Sequence, residues 1–134
     1  MLAQVPLFAG LSKRHLRHVA QLAEPVRYHA GRTIVEEGFR GGGFFVILEG
    51  SAKVVRAPGG RVVAQLGPGS YFGELAVIDD RPRTASVIST APMLTARLSR
   101  TDFRKLVRQE PEVALRIMEN LSGRIRDLQR AKAD

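Results

Sequence analysis

The chain has no cysteine and no tryptophan. Without thiols it can hold neither a disulfide framework nor a thiolate metal site, and a reducing, cytoplasmic setting is the simplest fit. Long apolar runs are also missing. None approaches the ~20 residues that a membrane-spanning helix needs, so no membrane segment is expected. The opening MLAQVPLFAGL is mildly apolar, but no basic region precedes it and it runs straight into charged residues, unlike a secretory signal. Acidic residues are comparatively scarce: 13 Asp and Glu face 21 Lys and Arg, for a formal charge of +8. The three histidines, His15, His18 and His29, have neither a cysteine nor an acidic partner nearby in sequence, so no metal site is expected and they read as solvent-facing.

What is present is one domain's worth of ordinary globular sequence, 134 residues with 44% hydrophobic and 25% charged side chains. The positive excess sits at the two ends. Residues 1–32 carry five basic side chains against Glu24 alone, residues 100–134 carry nine against six, and the middle is nearly balanced. Such a balance favours an anionic ligand or partner without choosing between a nucleotide, a nucleic acid and an acidic protein surface. An arginine-rich solubilising surface produces the same count.

Ser12 precedes Leu16, Val19, Ala20 and Ala23, the spacing of one helical face, which predicts an N-capped helix over 13–23 ending ahead of Pro25. From there to residue 98 glycines and prolines divide the chain into short pieces rich in Val, Ile and Phe: TIVEE, FFVILE, SAKVVRA, RVVAQL, TASVIS and MLTARL. Evenly spaced short strands of this kind predict a compact barrel or roll, with a hairpin at Pro58-Gly59-Gly60. Gly41-Gly42-Gly43 lacks the Lys-Ser/Thr of a phosphate loop and reads as a flexible strand connection. Helical periodicity returns with Ser99 as N-cap and Asp102 three residues on, and again after Pro111. Val113, Ile117, Leu121, Ile125 and Leu128 form one apolar stripe. It either docks on the roll or pairs with a second copy, and period alone does not separate the two. Gly123 within it marks either a flexible point or a close-packing site.

The most informative stretch is GSYFGELAVIDDRPRTASVIS, residues 69–89. Gly73 ahead of ELAVI suits the first turn of a short helix, whose free amides are a ready site for an anion. Glu74 in that turn can accept hydrogen bonds from a hydroxyl. After an Asp-Asp-Arg-Pro turn, Arg83 can return to the same mouth and grip the anion with its planar fork, with the Thr84 hydroxyl beside it. Asp79 and Asp80 are read as a solvated turn beside Arg81.

Phe72-Gly73-Glu74-Leu75-Ala76, followed by Pro82-Arg83-Thr84-Ala85-Ser86-Val87, resembles the phosphate-binding cassette of cyclic nucleotide-binding domains, the family of the catabolite activator protein and kinase regulatory subunits. Leu7-Phe8 and Leu11-Ser12 resemble the family's opening helix, and Gly38 with Phe45-Val46-Ile47-Leu48-Glu49-Gly50 its strand-and-glycine signature. The resemblance implies an α+β, mostly β fold: an eight-stranded β-roll (a double-stranded β-helix or jelly roll) flanked by an N-terminal helix, a short cassette helix and two C-terminal helices. The whole chain, 1–134, is then one domain, with helical residues 1–23, the roll over 24–98 carrying the cassette at 72–87, and C-terminal helices over 99–134.

The resemblance further implies a cyclic AMP or cyclic GMP ligand and no cofactor. Arg83 would pair with a phosphate oxygen, while Glu74 and the Gly73 amide would hold the ribose 2′-hydroxyl. Amides of Ala76 and Ala85 or Thr84 would complete the cradle, Leu75 also belonging to the ligand site, with Val54 and Val63 flanking the base. Thr84 stands where cyclic GMP binders often have Thr, and cyclic AMP binders also tolerate it. Arg83→Ala is expected to weaken binding while the fold melts normally. Two departures stand out. Leu128-Gln129 occupies the place of the Thr-Ser pair that contacts adenine in the catabolite activator protein, so Leu128 could meet the base by contact alone. The chain also stops at Asp134, leaving no room for a helix-turn-helix or sequence-specific DNA reading. A sensor that moves its C-terminal helices for an unknown effector, with a homodimer through the last helix as an open option, is therefore expected. The competing reading is a degenerate site in a module that meets acidic partners or nucleic acid through its basic ends. Hydrolysis is not expected, for want of a metal cluster or nucleophile-base pair.

Overall fold

In the computed structural model, which describes residues 2–79 and 81–133, eight strands form two four-stranded antiparallel sheets. Strands β1 (Glu24–Tyr28), β2 (Thr33–Val35), β3 (Phe44–Glu49), β4 (Ala52–Arg56), β5 (Arg61–Leu66), β6 (Tyr71–Phe72), β7 (Ser86–Ser89) and β8 (Met93–Leu98) follow in chain order. One sheet runs β1-β8-β3-β6 and the other β2-β7-β4-β5. Apart from the β4–β5 hairpin, consecutive strands alternate between the sheets, the pattern of a β-roll, as expected. The hairpin at Pro58-Gly59-Gly60 joins β4 to β5, with Arg56 opposite Arg61. TIVEE and TASVIS form shorter strands than their composition predicts, because Glu36, Thr84 and Ala85 belong to the loops around Arg83.

Strand β3 explains the unbroken apolar run FFVI. Phe44 and Val46 face a helical layer, and Phe45 and Ile47 face the inside of the roll, so both sides are covered. The outer core joins Phe44, Val46, Ala96 and Leu98 to Phe8, Val19, Val77, Phe103, Leu106, Val113 and Ile117. Phe44 and Phe103 meet with ring centroids 4.8 Å apart. The inner core gathers Val35, Phe45, Phe72, Val87 and Met93, with Phe45 stacked on Phe72 at 4.9 Å.

Four α-helices flank the roll: α1 (Lys13–Leu22), α2 (Glu74–Asp79), α3 (Arg100–Gln109) and α4 (Pro111–Ala133). Ser12 caps α1 by accepting from the His15 amide, and Ser99 caps α3 by accepting from the Asp102 amide. The opening Leu7-Phe8 pair lies in a 3-10 turn, Pro6–Phe8, tucked into the outer core. Ser99→Ala should cost about 1 kcal/mol through the lost cap. A lower denaturant midpoint at unchanged slope would register it.

The long apolar stripe of α4 has two fates. Val113 and Ile117 are buried and Leu121 packs at the core margin, whereas Ile125 and Leu128 are 56% and 67% exposed. The first half of the stripe therefore docks on the roll, and the second half extends beyond it. A Cβ at Gly123 would meet nothing within 4 Å, so close packing does not require that glycine. No helix among the described residues is long and apolar enough to cross a membrane.

Candidate functional site

The short helix α2 begins where β6 ends, at Gly73. This glycine has φ of +94°, and a Cβ there would lie 2.5 Å from the Gly43 carbonyl and 2.8 Å from Arg83 Nη1. Only glycine lets the backbone of α2, the 41–43 turn and the Arg83 side chain approach this closely. Glu74 follows in the first turn and is 4% exposed, and Ala76 and Val77 are buried beneath it.

Arg83 returns to this point, as its spacing predicts, and is 7% exposed. The backbone fixes its approach. Its amide donates to the Phe39 carbonyl, and its carbonyl accepts from the Gly38 amide, both at 2.9 Å. The guanidinium is spent differently from expectation. Nε and Nη2 both donate to the Gly41 carbonyl, Nη2 also to Gly43 at 2.8 Å, and Nη1 to Gly73 at 3.1 Å. Of five guanidinium hydrogens, one on Nη1 remains for another acceptor. Desolvation lowers the pKa of Arg83 from its ordinary value, the nearby Glu74 charge opposing that shift, and a guanidinium keeps its proton under such a perturbation. The 41–43 turn is thus not a bare strand connection. Its three glycines all have positive φ, which turns two of their carbonyls onto one cation.

Glu74 also has a partner that sequence reasoning missed. Arg124 Nη1 on α4 lies 2.7 Å from Glu74 Oε1. Arg116 Nη1 donates to the Leu7 carbonyl at 2.8 Å, and Asn120 Nδ2 donates to the Tyr71 hydroxyl at 2.7 Å. Residues 116, 120 and 124 recur every fourth position, so α4 is seated by a polar stripe alongside its apolar one. Burial raises the pKa of Tyr71, against the lowering effect of the Asn120 hydrogen bond, which keeps the phenol protonated at neutral pH. The i, i+4, i+8 spacing was visible in the sequence, but its partners lie about 50 to 109 residues away. Between α4, Pro6-Leu7 and the β5–β6 turn lies an open cleft of about 510 Å³ whose lining includes Arg124.

The remaining predicted residues divide. Val54 is half-buried against the inner core, Ala85 is half-buried, and Thr84 is exposed beside Arg83. Leu75, Val63 and Leu128 are exposed, so the expected contacts of Val63 and Leu128 with a base are not preformed. Asp79 accepts from the Arg81 amide at 3.0 Å as a local turn, and Asp80 lies outside the described residues. His15 is exposed, as its solvent-facing reading expects, but it has an acidic partner that the sequence did not show: its Nδ1 lies 3.0 Å from Glu110 Oε2. No cluster of three potential metal ligands occurs among the described residues.

The β-roll thus buries one guanidinium against the start of a short helix and ties the adjoining carboxylate to a long terminal helix. Its sequence matches the profile of the cyclic nucleotide-binding domain over residues 25–110, and the chain belongs to that family. It is 36% identical over 106 residues to a cAMP-dependent protein kinase regulatory subunit of Aspergillus fumigatus, covering 79% of this chain and 26% of that one. The chain thus spans about a quarter of the length of that relative. The catabolite activator protein of Thermus thermophilus superposes with a TM-score of 0.85 at 30% identity, over 92% of this chain and 60% of that one. The regulatory subunit of a cAMP-independent protein kinase A from Trypanosoma brucei superposes with a TM-score of 0.79 at 26% identity, over 91% and 43%. The family is one of regulatory binding domains.

Proposed function

We propose that this domain captures a cyclic nucleotide and transmits the event through α4, without catalysis. The observation that carries the reading is the convergence of a buried Arg83, the first turn of α2 and a buried Glu74 within one niche. The ring phosphate meets the free Nη1 hydrogen of Arg83 and the first amides of α2 and Ala85, where a full positive charge and the helix dipole act together. For a bidentate grip, the phosphate must also draw Nη2 away from Gly41 or Gly43. Glu74 accepts the ribose hydroxyl on Oε2 while Oε1 stays with Arg124. Val54 and Val63 flank the base, and Leu128 reaches it only if the outer half of α4 folds inward. The absence of cysteine is in keeping with work in the cytoplasm.

Transmission follows from the Glu74–Arg124 pair, because a ligand that engages one oxygen of Glu74 changes the hold on the other. The ligand biases α4 only by its differential affinity for the two positions. The exposed Ile125 and Leu128 give the outer half of α4 an apolar edge that a second copy could cover, in a homodimer. The effector that reads α4 is a further domain or protein.

A second reading rests on the same guanidinium. Four of its hydrogen bonds already go to backbone carbonyls, so the niche could be self-satisfied and bind nothing; the trypanosomal neighbour, a regulatory subunit of a cAMP-independent kinase, is in keeping with a fold that need not answer to cyclic AMP. Thermal melts separate the two. A cyclic nucleotide has about 22 non-hydrogen atoms, which at ~0.3–0.4 kcal/mol each places the affinity near micromolar. Cyclic AMP or cyclic GMP at a hundredfold excess over Kd should then stabilise the fold by about 2.7 kcal/mol, and the linear monophosphates should not. Identical melts with all four would leave the self-satisfied niche as the answer.

A further inference from the structure

Helix α1 lacks the first-turn acid that the other α-helices carry. Helices α2, α3 and α4 begin with Glu74, Asp102 and Glu112 in their first turns, but α1 begins with Lys13 and Arg14 and contains no acid. The helix dipole disfavours cations there. Lys13 and Arg17 are four apart and Arg14 and Arg17 three apart, spacings at which like charges destabilise a helix. Elsewhere Arg97, Arg116 and Arg124 find carboxylates or carbonyls, but no ion pair or hydrogen bond to a described residue holds Arg14 or Arg17. Local rules are broken chiefly at functional or strained sites, and a cleft beside these cations favours the first.

These cations border a cleft of about 480 Å³ between α1 and the end of α3. Arg14, His15, Arg17, His18, Gln21 and Gln109 line it, over a floor formed by the buried Glu110. Glu110 is the only acid in this lining. It is 5% exposed, and its Oε2 lies 3.0 Å from His15 Nδ1, which holds the carboxylate against α1 and away from the mouth. The groups left at the mouth are all able to donate hydrogen bonds.

We propose that this cleft is a second anion site, separate from the Arg83 niche, for a small multivalent phosphate-bearing molecule. Two guanidiniums one helical turn apart match adjacent phosphoryl oxygens, and planar forks recognise such oxygens in pairs. The concave shape and short reach of the cluster favour a compact polyanion over an extended chain. Its floor also lies at the joint of the C-terminal helices: the Glu110 amide donates to Leu106 at the end of α3, and its carbonyl accepts from Val113 at the start of α4. An occupant therefore rests against the point from which α4 departs.

Inorganic pyrophosphate, titrated into the whole chain at ionic strength held constant with sodium chloride and followed by residue-resolved amide NMR, tests this. Saturable shifts are expected at residues 13–21 and 109–110, distinguishable from any at 72–76 and 83–85, which would report on the cyclic-nucleotide niche. Arg14→Gln with Arg17→Gln should weaken the first set at least about tenfold, the effect of losing one charge-assisted contact or more. The same double variant should melt no lower than the parent, because it relieves like-charge strain. Shifts that do not saturate, that survive the double substitution, or a variant that melts several degrees lower would each overturn the proposal. Shifts confined to the niche would overturn it too, while leaving the cyclic-nucleotide reading intact.

Discussion

Replacing Arg83 with alanine is expected to lower cyclic-nucleotide affinity at least tenfold and to destabilise the free protein as well. The first effect follows from the lost counter-charge, since a hydrogen bond to a charged group contributes about 1.5–3 kcal/mol, which is a factor of ten or more in Kd. The second follows from the three carbonyls of Gly41, Gly43 and Gly73, which would lose their donor in a part-buried setting. An unsatisfied buried acceptor costs about 1–3 kcal/mol. The expectation from sequence, that this variant melts normally, is thereby revised, because a residue that reads as facing only a ligand also organises a backbone turn. Arg83→Lys provides the comparison. It keeps the charge but cannot reach three carbonyls with one compact ammonium, so it should recover affinity better than stability. Calorimetric titration and denaturant melts on both variants measure the two effects separately. Unchanged affinity for Arg83→Ala would remove Arg83 from the proposed site.

Arg124→Ala is expected to release the outer half of α4 while leaving phosphate capture in place. Beyond Leu121 the helix side chains are exposed as far as Ala131, and among the described residues the Arg124–Glu74 pair is the hydrogen bond that ties this half to the roll. Arg124 is itself half-exposed, so solvent screens its charge, and the larger cost falls on Glu74, whose buried carboxylate loses its partner. A loss of about 1–3 kcal/mol in stability is expected. Amide hydrogens from residue 122 onward should exchange at least about tenfold faster, because local opening then breaks no tertiary contact. Cyclic nucleotide should still bind, with affinity reduced only a few-fold, but it should no longer change α4 protection. If α4 protection still responded to ligand in this variant, transmission would have to run through the apolar docking of Val113 and Ile117 instead. Glu74→Gln should loosen the same segment, since a neutral amide holds the guanidinium less strongly than a carboxylate.

Much of this was legible in the sequence, and the reasons are local. Ser12 and Ser99 cap their helices where the pattern placed them, because an N-cap bond spans only three residues. FFVILE, RVVAQL and MLTARL form strands with the limits read from composition, since glycine or proline punctuates each. The pairing of Arg83 with the Gly73 region was legible as well, because only nine positions separate Glu74 from Arg83 and the turn between them leaves little freedom. Other elements were invisible for equally physical reasons. Strand β6 has two residues and exists only because Phe45 and Val46 lie beside it. The apolar stripe on α4 is continuous in sequence, yet it is buried in its first half and exposed in its second, since the roll beneath it ends.

By itself, then, the order of residues determined the helices, the roll, the glycine at the head of α2 and the identity of the cation and carboxylate that meet there. Each of these depends on contacts a few residues apart or on the covalent character of a single side chain. Only the tertiary structure decided how those groups are employed: Arg83 on the carbonyls of a turn forty residues earlier, Glu74 on Arg124 fifty residues later, His15 on Glu110. A guanidinium carries five donors with no preference written into its own sequence position, and which acceptors it finds is settled by the folding of distant segments around it.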